Sequence, residues 1–390
     1  MDPDLSALDE ALDTWGVDGY LILATGDDAD QRYLSGFGAP DQFHTLYDGE
    51  ALHLLVRGLE RGHARAKSRA STVATPEDYG RTQLAAEHGH TEAEHIVAAR
   101  FLADHGVETV AVPSTFPLGS ADGLREQEIA VHPDDEGTIQ WIRAVKTQPE
   151  IDHIAVTQRA TQTAMGLAQD MLAQSGIDGD RLVLDGEPLT SERIKEELEV
   201  SLLRNRCIAG EMIVASGADA ADPHNRGSGV IRPHEPIVID IFPHHRESKY
   251  HADMTRTFCV GEPSETAVEW YDLTLTALER ALEMLEPGVP ANIVHDAVCD
   301  VYEAAGIDTL RTNDTAETGF IHGTGHGIGL DVHESPRLST QDYELEPGHV
   351  ITVEPGVYHP SVGGIRIEDL VVITEDGNRN LTEYPKVFVV

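Results

Sequence analysis

Apolar residues recur at helical spacing near the start of the chain, where Leu5, Leu8, Leu12 and Trp15 share one face and acidic residues lie between them. The pattern predicts an amphipathic helix over 5–16. The run Gly19-Tyr-Leu-Ile-Leu-Ala24 predicts a buried strand. A helical pattern over 90–105 and a short apolar run over 109–112 follow, and similar pieces continue to about residue 135. Helices and strands alternating in this way predict a small α/β domain. Pro133-Asp-Asp-Glu-Gly137 is a polar break. The boundary is therefore placed near 138, giving an N-terminal domain over 1–138 and a larger one over 139–390.

The second part opens with a long helical pattern over 150–174. Thr190-Ser-Glu-Arg begins another helix with a capping-type start, and two more are expected over 267–285 and 293–305. Strand-like runs lie at 212–216, 236–242, 253–260, 350–354 and 365–373. Helices interleaved with mostly antiparallel strand pairs make the fold class α+β. No repeat at solenoid spacing and no low-complexity tract interrupts this reading.

Length changes the picture little, because 390 residues already exceed what one core serves and two domains are the prior. Charge changes it more. The 68 acidic residues against 28 basic give a formal net charge of -40, which disfavours nucleic acid and anionic membranes as partners. Only Lys67, Lys146, Lys195, Lys249 and Lys386 are lysines, and so acidic a surface resembles those that work in concentrated salt. Cys207, Cys259 and Cys299 are too few and too scattered for a disulfide framework. The first twenty residues lack a basic and apolar leader and no run is long enough to cross a bilayer, so a cytoplasmic location is expected.

The candidate chemistry centres on residues 320–336, FIHGTGHGIGLDVHESP, which hold His322, His326, His333 and four glycines. Neutral imidazole is the commonest metal ligand, and glycine lets a ligand or a neighbouring strand come close. Asp240 stands inside the apolar run 236–242, and an unpaired buried carboxylate there must be protonated, paired or bound to a cation. Asp253 follows thirteen residues later. If the two runs pair as a hairpin around 243–249, these carboxylates face each other across about 5 Å, which suits two cations. Glu354 ends an apolar run before a turn. In Gly364-Ile-Arg366-Ile-Glu368-Asp369, period-two alternation puts Arg366 and Glu368 on one face and Ile365, Ile367 and Asp369 on the other. Two Asp, two Glu and one His are an oxygen-rich donor set that suits Mn²⁺, Co²⁺ or Zn²⁺ better than a structural zinc site.

This pattern resembles the pita-bread metallopeptidases, which include methionine aminopeptidase, aminopeptidase P and prolidase. Asp240, Asp253, His326, Glu354 and Glu368 match that family's metal ligands in order, the last four within DMTRTF, GTGHGIGLDVHE, TVEPGVY and GGIRIEDL. The resemblance implies a catalytic domain of curved antiparallel sheet flanked by helices. Arg143-Ala-Val-Lys-Thr-Gln-Pro-Glu looks like the segment that opens this domain in prolidases. Arg32-Tyr-Leu-Ser-Gly-Phe37 resembles their creatinase-type N-terminal domain, which argues against the methionine branch. One departure is the Asp240-to-Asp253 interval, thirteen residues where the family usually has eleven, with Phe242 in a glycine's place. A longer hairpin loop at 243–249 preserves the strand register, whereas a bulge inside a strand would misdirect an aspartate. His244 and His245 are read as loop residues.

The resemblance implies two divalent ions per chain and hydrolysis of the bond before proline in a peptide, as a dipeptidase or as aminopeptidase P, with a homodimer as the expected assembly. Glu354 is the implied proton carrier. His333 contacts the reacting peptide, His224 and His322 line the substrate site, and Arg366 is a candidate partner for a substrate carboxylate. Two other classes stand beside this: a metal-free peptide-binding module, which predicts missing ligands, and a metal-dependent lyase or hydrolase of a small non-peptide substrate on the same fold.

Overall fold

The computed structural model describes residues 3–390, and the chain divides into two compact units, Met1–Arg143 and Ala144–Val390. The first helix, Ser6–Trp15, buries Leu8 and Leu12 and stops at Gly16, whose φ of 66° lies in the left-handed region glycine favours. Gly19–Ala24 is a central strand of a six-stranded mixed sheet in the order 72–74, 52–55, 43–47, 19–24, 109–113, 130–134. It runs antiparallel to Phe43–Tyr47 and parallel to Thr109–Pro113. The His90–Asp104 helix lays Val97, Phe101 and Leu102 on this sheet, against Leu21, Leu46 and Val110.

The second unit holds two helix-and-sheet cores. Thr147 and Glu150 cap each other's backbone to start the 27-residue helix Gln148–Gln174. Thr190 caps Ser191–Arg204 by accepting from the Arg193 N–H. These helices pack Met165, Leu172, Leu198 and Leu202 against Val214, Ile239, Met254 and Phe258. Those last residues belong to an antiparallel sheet of Met212–Ser216, Ile237–Ile241 and Met254–Phe258. Glu265–Met284 and Ala291–Ala304 form the second core with Ile351, Val353, Ile365 and Val371. Val350–Val353 and Asp369–Thr374 are inner strands of a five-stranded sheet, while Gly356–His359 and Gly363–Arg366 form a separate pair. No helix of the described residues is long and apolar enough to cross a membrane.

Two sequence expectations change here. The run 365–373 is not one strand: the chain leaves the Gly356–His359 pairing after Arg366 and joins Val350–Val353 from Asp369. Backbone hydrogen bonds take the intervening residues elsewhere, Ile367 N–H to the Pro355 carbonyl and Glu368 N–H to Thr255. Asp240 and Asp253 are not directly opposed either. Asp240 pairs with Thr255 and Ile241 with Met254, so Asp253 lies diagonally across, two positions off, on the same face. The register runs unbroken, and the connection between the two strands pairs His244–His245 with Cys207–Ile208.

Candidate functional site

The three-stranded sheet, the five-stranded sheet and the separate strand pair of the second unit meet around one cavity of about 800 Å³, which Asp240, Asp253, His326, Glu354, Glu368, His224, His322, His333 and Arg366 all line. Asp240 is the penultimate residue of the strand Ile237–Ile241 and Asp253 precedes its neighbour, so strand alternation points both inward. Glu354 and Glu368 face in from the gap where the second pair of strands changes partners. The Glu354 N–H donates to the Thr324 carbonyl at 2.8 Å, and the Glu368 N–H to that of Thr255 at 3.1 Å. The glycines beside His326 serve strand packing. A Cβ on Gly325 would lie 1.9 Å from the Thr352 carbonyl oxygen, and one on Gly327 would lie 2.1 Å from that of Ser335.

His326 Nε2 lies 3.8 Å from Asp253 Oδ2 and 3.6 Å from Glu354 Oε1, and its Nδ1 lies 3.0 Å from the Gly327 carbonyl. A carbonyl only accepts, so Nδ1 carries the proton and Nε2 turns its lone pair to the carboxylates. Thr255 Oγ1 donates to Glu368 Oε2 at 2.8 Å. Arg366 is buried and committed, its Nη2 donating to Asp240 Oδ2 at 2.7 Å and its Nη1 to the Tyr358 hydroxyl at 2.9 Å. That hydroxyl lies 3.0 Å from His322 Nε2, and His322 Nδ1 lies 2.7 Å from the Gly323 carbonyl. The chain of donors therefore runs Arg366 to Tyr358 to His322 to the backbone. His322 spends both ring nitrogens on the wall of the cavity.

Burial first, and then the neighbouring charges of Glu368, Asp240 and Glu354, hold the Asp253 carboxyl well above the usual range. Burial likewise raises Glu368, with Glu354 and Asp240 adding to it. Glu354 is pushed up to about 8, mainly by burial, with the Arg366 guanidinium opposing and the Asp240 charge assisting. Burial pushes His326 down to about 3, and the neighbouring His333 ring adds to the shift. Burial also brings His322 down to about 3, helped by the positive charge of Arg366.

Carboxyls crowded in this way need protons or a cation. Asp240 Oδ1, Asp253 Oδ1 and Glu368 Oε1 are buried without a hydrogen-bond partner among the described residues. Leaving such oxygens unsatisfied is costly. Asp253, His326 and Glu368 offer donor atoms all within 4.8 Å of one another. Four carboxylates with one imidazole are a hard donor set, and they fit divalent cations.

Of the remaining candidates, His333 stacks edge-on against His326 with ring centroids 4.4 Å apart. His224 is exposed at the cavity wall. The expectation that Arg366 awaits a substrate carboxylate meets a competitor, because Asp240 already holds its guanidinium. Two other cations line the cavity: Arg226 pairs with Glu211 at 2.5 Å, whereas Arg337 is exposed and without a hydrogen-bond partner for its guanidinium among the described residues. Sequence reasoning missed Arg337 and Tyr358, although Tyr358 alternates with Gly356 after Glu354. It also missed the buried pair of Lys146 with Glu334 at 2.9 Å, which ties the start of the unit to the segment carrying His333. The signal was Lys146 itself, one of only five lysines in so acidic a chain.

The profile described as Metallopeptidase family M24 matches residues 142–375. The Xaa-Pro dipeptidase of Pyrococcus horikoshii is 31% identical over 285 residues, 71% of this chain and 74% of that protein. Among solved structures, the prolidase from Pyrococcus horikoshii superposes with a TM-score of 0.79 at 27% identity, over 98% of each chain. An X-Pro aminopeptidase from Thermotoga maritima superposes with a TM-score of 0.76 at 26% identity, also over 98% of each chain.

Proposed function

The chain belongs to metallopeptidase family M24, and from that premise we propose that it is a prolidase-type dipeptidase hydrolysing Xaa-Pro with two divalent cations. The observation that carries this reading is the convergence of five candidate donors on one cavity, three of their carboxylate oxygens having no hydrogen-bond partner among the described residues. Asp240, Asp253, His326, Glu354 and Glu368 would hold the ions. The oxygen-rich set favours Mn²⁺ or Co²⁺ over Zn²⁺. When bound, such ions supply the positive charge that lowers the pKa of water and polarises a carbonyl.

The chain's own residues do the rest. Glu354 would take a proton from the attacking water and pass it to the leaving nitrogen of proline. His333 and His224 face the peptide, His333 stabilising negative charge on the attacked carbonyl oxygen. Arg366 holds Asp240 in place, and Tyr358 and His322 hold Arg366 in turn. Arg337, rather than the committed Arg366, receives the free carboxylate of a dipeptide, because an always-charged guanidinium without another partner is available there. In the proposed division of labour, residues 1–138 are a creatinase-type domain and residues 139–390 carry catalysis. The proposed assembly is a homodimer, and the proposed surface is salt-adapted. Its thermal midpoint is expected to climb from dilute buffer to molar KCl.

The second reading, removal of one residue before proline from longer peptides, is favoured by a likeness to the Thermotoga aminopeptidase that extends over the same 98% of the chain. Metal-stripped protein reconstituted with Mn²⁺ or Co²⁺ separates the two. Two ions per chain and turnover of Ala-Pro over Ala-Pro-Ala are expected. Preference for the tripeptide selects the aminopeptidase reading, and no metal-dependent turnover of either sinks both.

A further inference from the structure

A second group of metal-ligating side chains lies in the first unit, among residues that the chemistry above does not use. Asp48 occupies the turn after Phe43–Tyr47, where its Oδ1 accepts from the backbone N–H groups of Glu50 and Ala51 at 3.0 and 2.8 Å. Its Oδ2 lies 2.8 Å from His53 Nε2. His53 is 6% exposed, in the strand Leu52–Leu55, and its Nδ1 lies 2.8 Å from Thr72 Oγ1. His105, at the end of the His90–Asp104 helix, stacks its ring on His53 with centroids 3.7 Å apart and planes 25° apart. Donor atoms of Asp48, His53 and His105 all lie within 4.8 Å of one another.

We propose that Asp48, His53 and His105 bind one zinc-type divalent cation, with water in the fourth position. Three protein donors and one water are the ligand count of an open tetrahedral site. Thr72 supplies the outer contact such a site needs: with His53 Nδ1–H donated to its hydroxyl, the Nε2 lone pair faces Asp48 and the ion.

His105 has no hydrogen-bond partner for its ring nitrogens among the described residues. It is therefore the member that turns from the stack towards the ion. Two imidazoles and one carboxylate are softer than the four-carboxylate centre of the second unit, so this site selects zinc over manganese. A bound ion would join the 48–53 hairpin to the end of the 90–104 helix. Without an ion, the same residues are a hydrogen-bonded Asp-His-Thr relay capped by a stacked ring, and the experiment separates these outcomes.

Full-length protein is stripped with chelator, equilibrated with micromolar Zn²⁺ and analysed for metal content, and the same preparation is loaded with Co²⁺ for its visible absorption. Wild type should carry one zinc more per chain than His105→Ala, and the variant should lose the tetrahedral Co²⁺ band that belongs to this site. Thr72→Val should weaken that site about 10- to 100-fold. Turnover of Ala-Pro with saturating Mn²⁺ should be unchanged in both variants, so the outcome is independent of whether the proposed peptidase activity holds. If His105→Ala fails to fold, His105→Asn repeats the measurement with a smaller change of shape. Equal zinc content in wild type and a folded His105 variant overturns the proposal.

Discussion

The two walls of the cavity are built on different principles. On one, Asp240 and Asp253 belong to a strand pair whose register runs unbroken from Ile237↔Phe258 to Ile241↔Met254. On the other, Glu354 and Glu368 occupy the gap between the Val353↔Asp369 pair and the Gly356↔Arg366 pair. Regular pairing aims a side chain by its period of two. A gap aims it through whatever satisfies the released backbone groups, and here that is partly the other wall. Glu368 is held to Thr255 twice, by its N–H at 3.1 Å and by its Oε2 at 2.8 Å. Glu368 therefore takes its geometry from the regular wall, while Glu354 is held by Thr324.

Four changes test this dependence. The largest effect is expected for Glu354→Gln, which removes a proposed ligand and the proposed proton carrier together. Turnover of reconstituted protein should fall by roughly 10²- to 10⁴-fold, with metal content reduced, and a loss under tenfold would remove Glu354 from the mechanism. Arg366→Leu acts on the regular wall by leaving buried Asp240 without its partner. Metal-free protein should lose about 3–5 kcal/mol in urea unfolding, and metal-loaded protein less, because the ions also neutralise Asp240. Equal losses in both forms would mean that Asp240 does not face the ions.

Thr255→Val cuts the link between the walls and should cost about 1.5–3 kcal/mol, the range for a hydrogen bond to a charged group. It should weaken metal binding more than a similar change at Thr257, whose hydroxyl donates to the Arg366 carbonyl instead. If the two variants bind metal alike, the irregular wall is not held through Thr255.

The last test is a slope with pH. In metal-free protein the carboxyls of Asp253, Glu354 and Glu368 are raised by folding, Glu354 from 4.5 to about 8. Across that window the folded chain binds more protons than the unfolded one. Its stability is thus full below the ordinary carboxylate range and falls as pH rises towards 8. Glu354→Gln should flatten the slope, and bound metal should reverse it, since ions and protons compete for the same oxygens. A metal-free protein that gains stability from pH 5 to 8 contradicts the assignment.

Much of this was legible along the chain because it rests on local patterns. Leu8 and Leu12 marked the first helix, the Thr190 cap the start of Ser191–Arg204, and the apolar run around Asp240 a strand that buries a carboxylate. Alternation also placed Arg366 and Glu368 on one face, and both do line the cavity although the strand is interrupted between them. What depends on pairing partners was not legible. The diagonal offset of Asp240 and Asp253 follows from register, which a thirteen-residue interval leaves undetermined. The break at Glu368 exists because the Thr255 carbonyl, 113 residues away in the chain, captures its N–H. The commitment of Arg366 to Asp240 and Tyr358 is likewise a contact across 126 and 8 residues. The sequence by itself determined which side chains are buried and which chemistry they offer, since burial and periodicity are properties of each strand and helix. Only the tertiary structure decided which of those charges meet, because electrostatic partners in a low-dielectric interior are set by packing between elements.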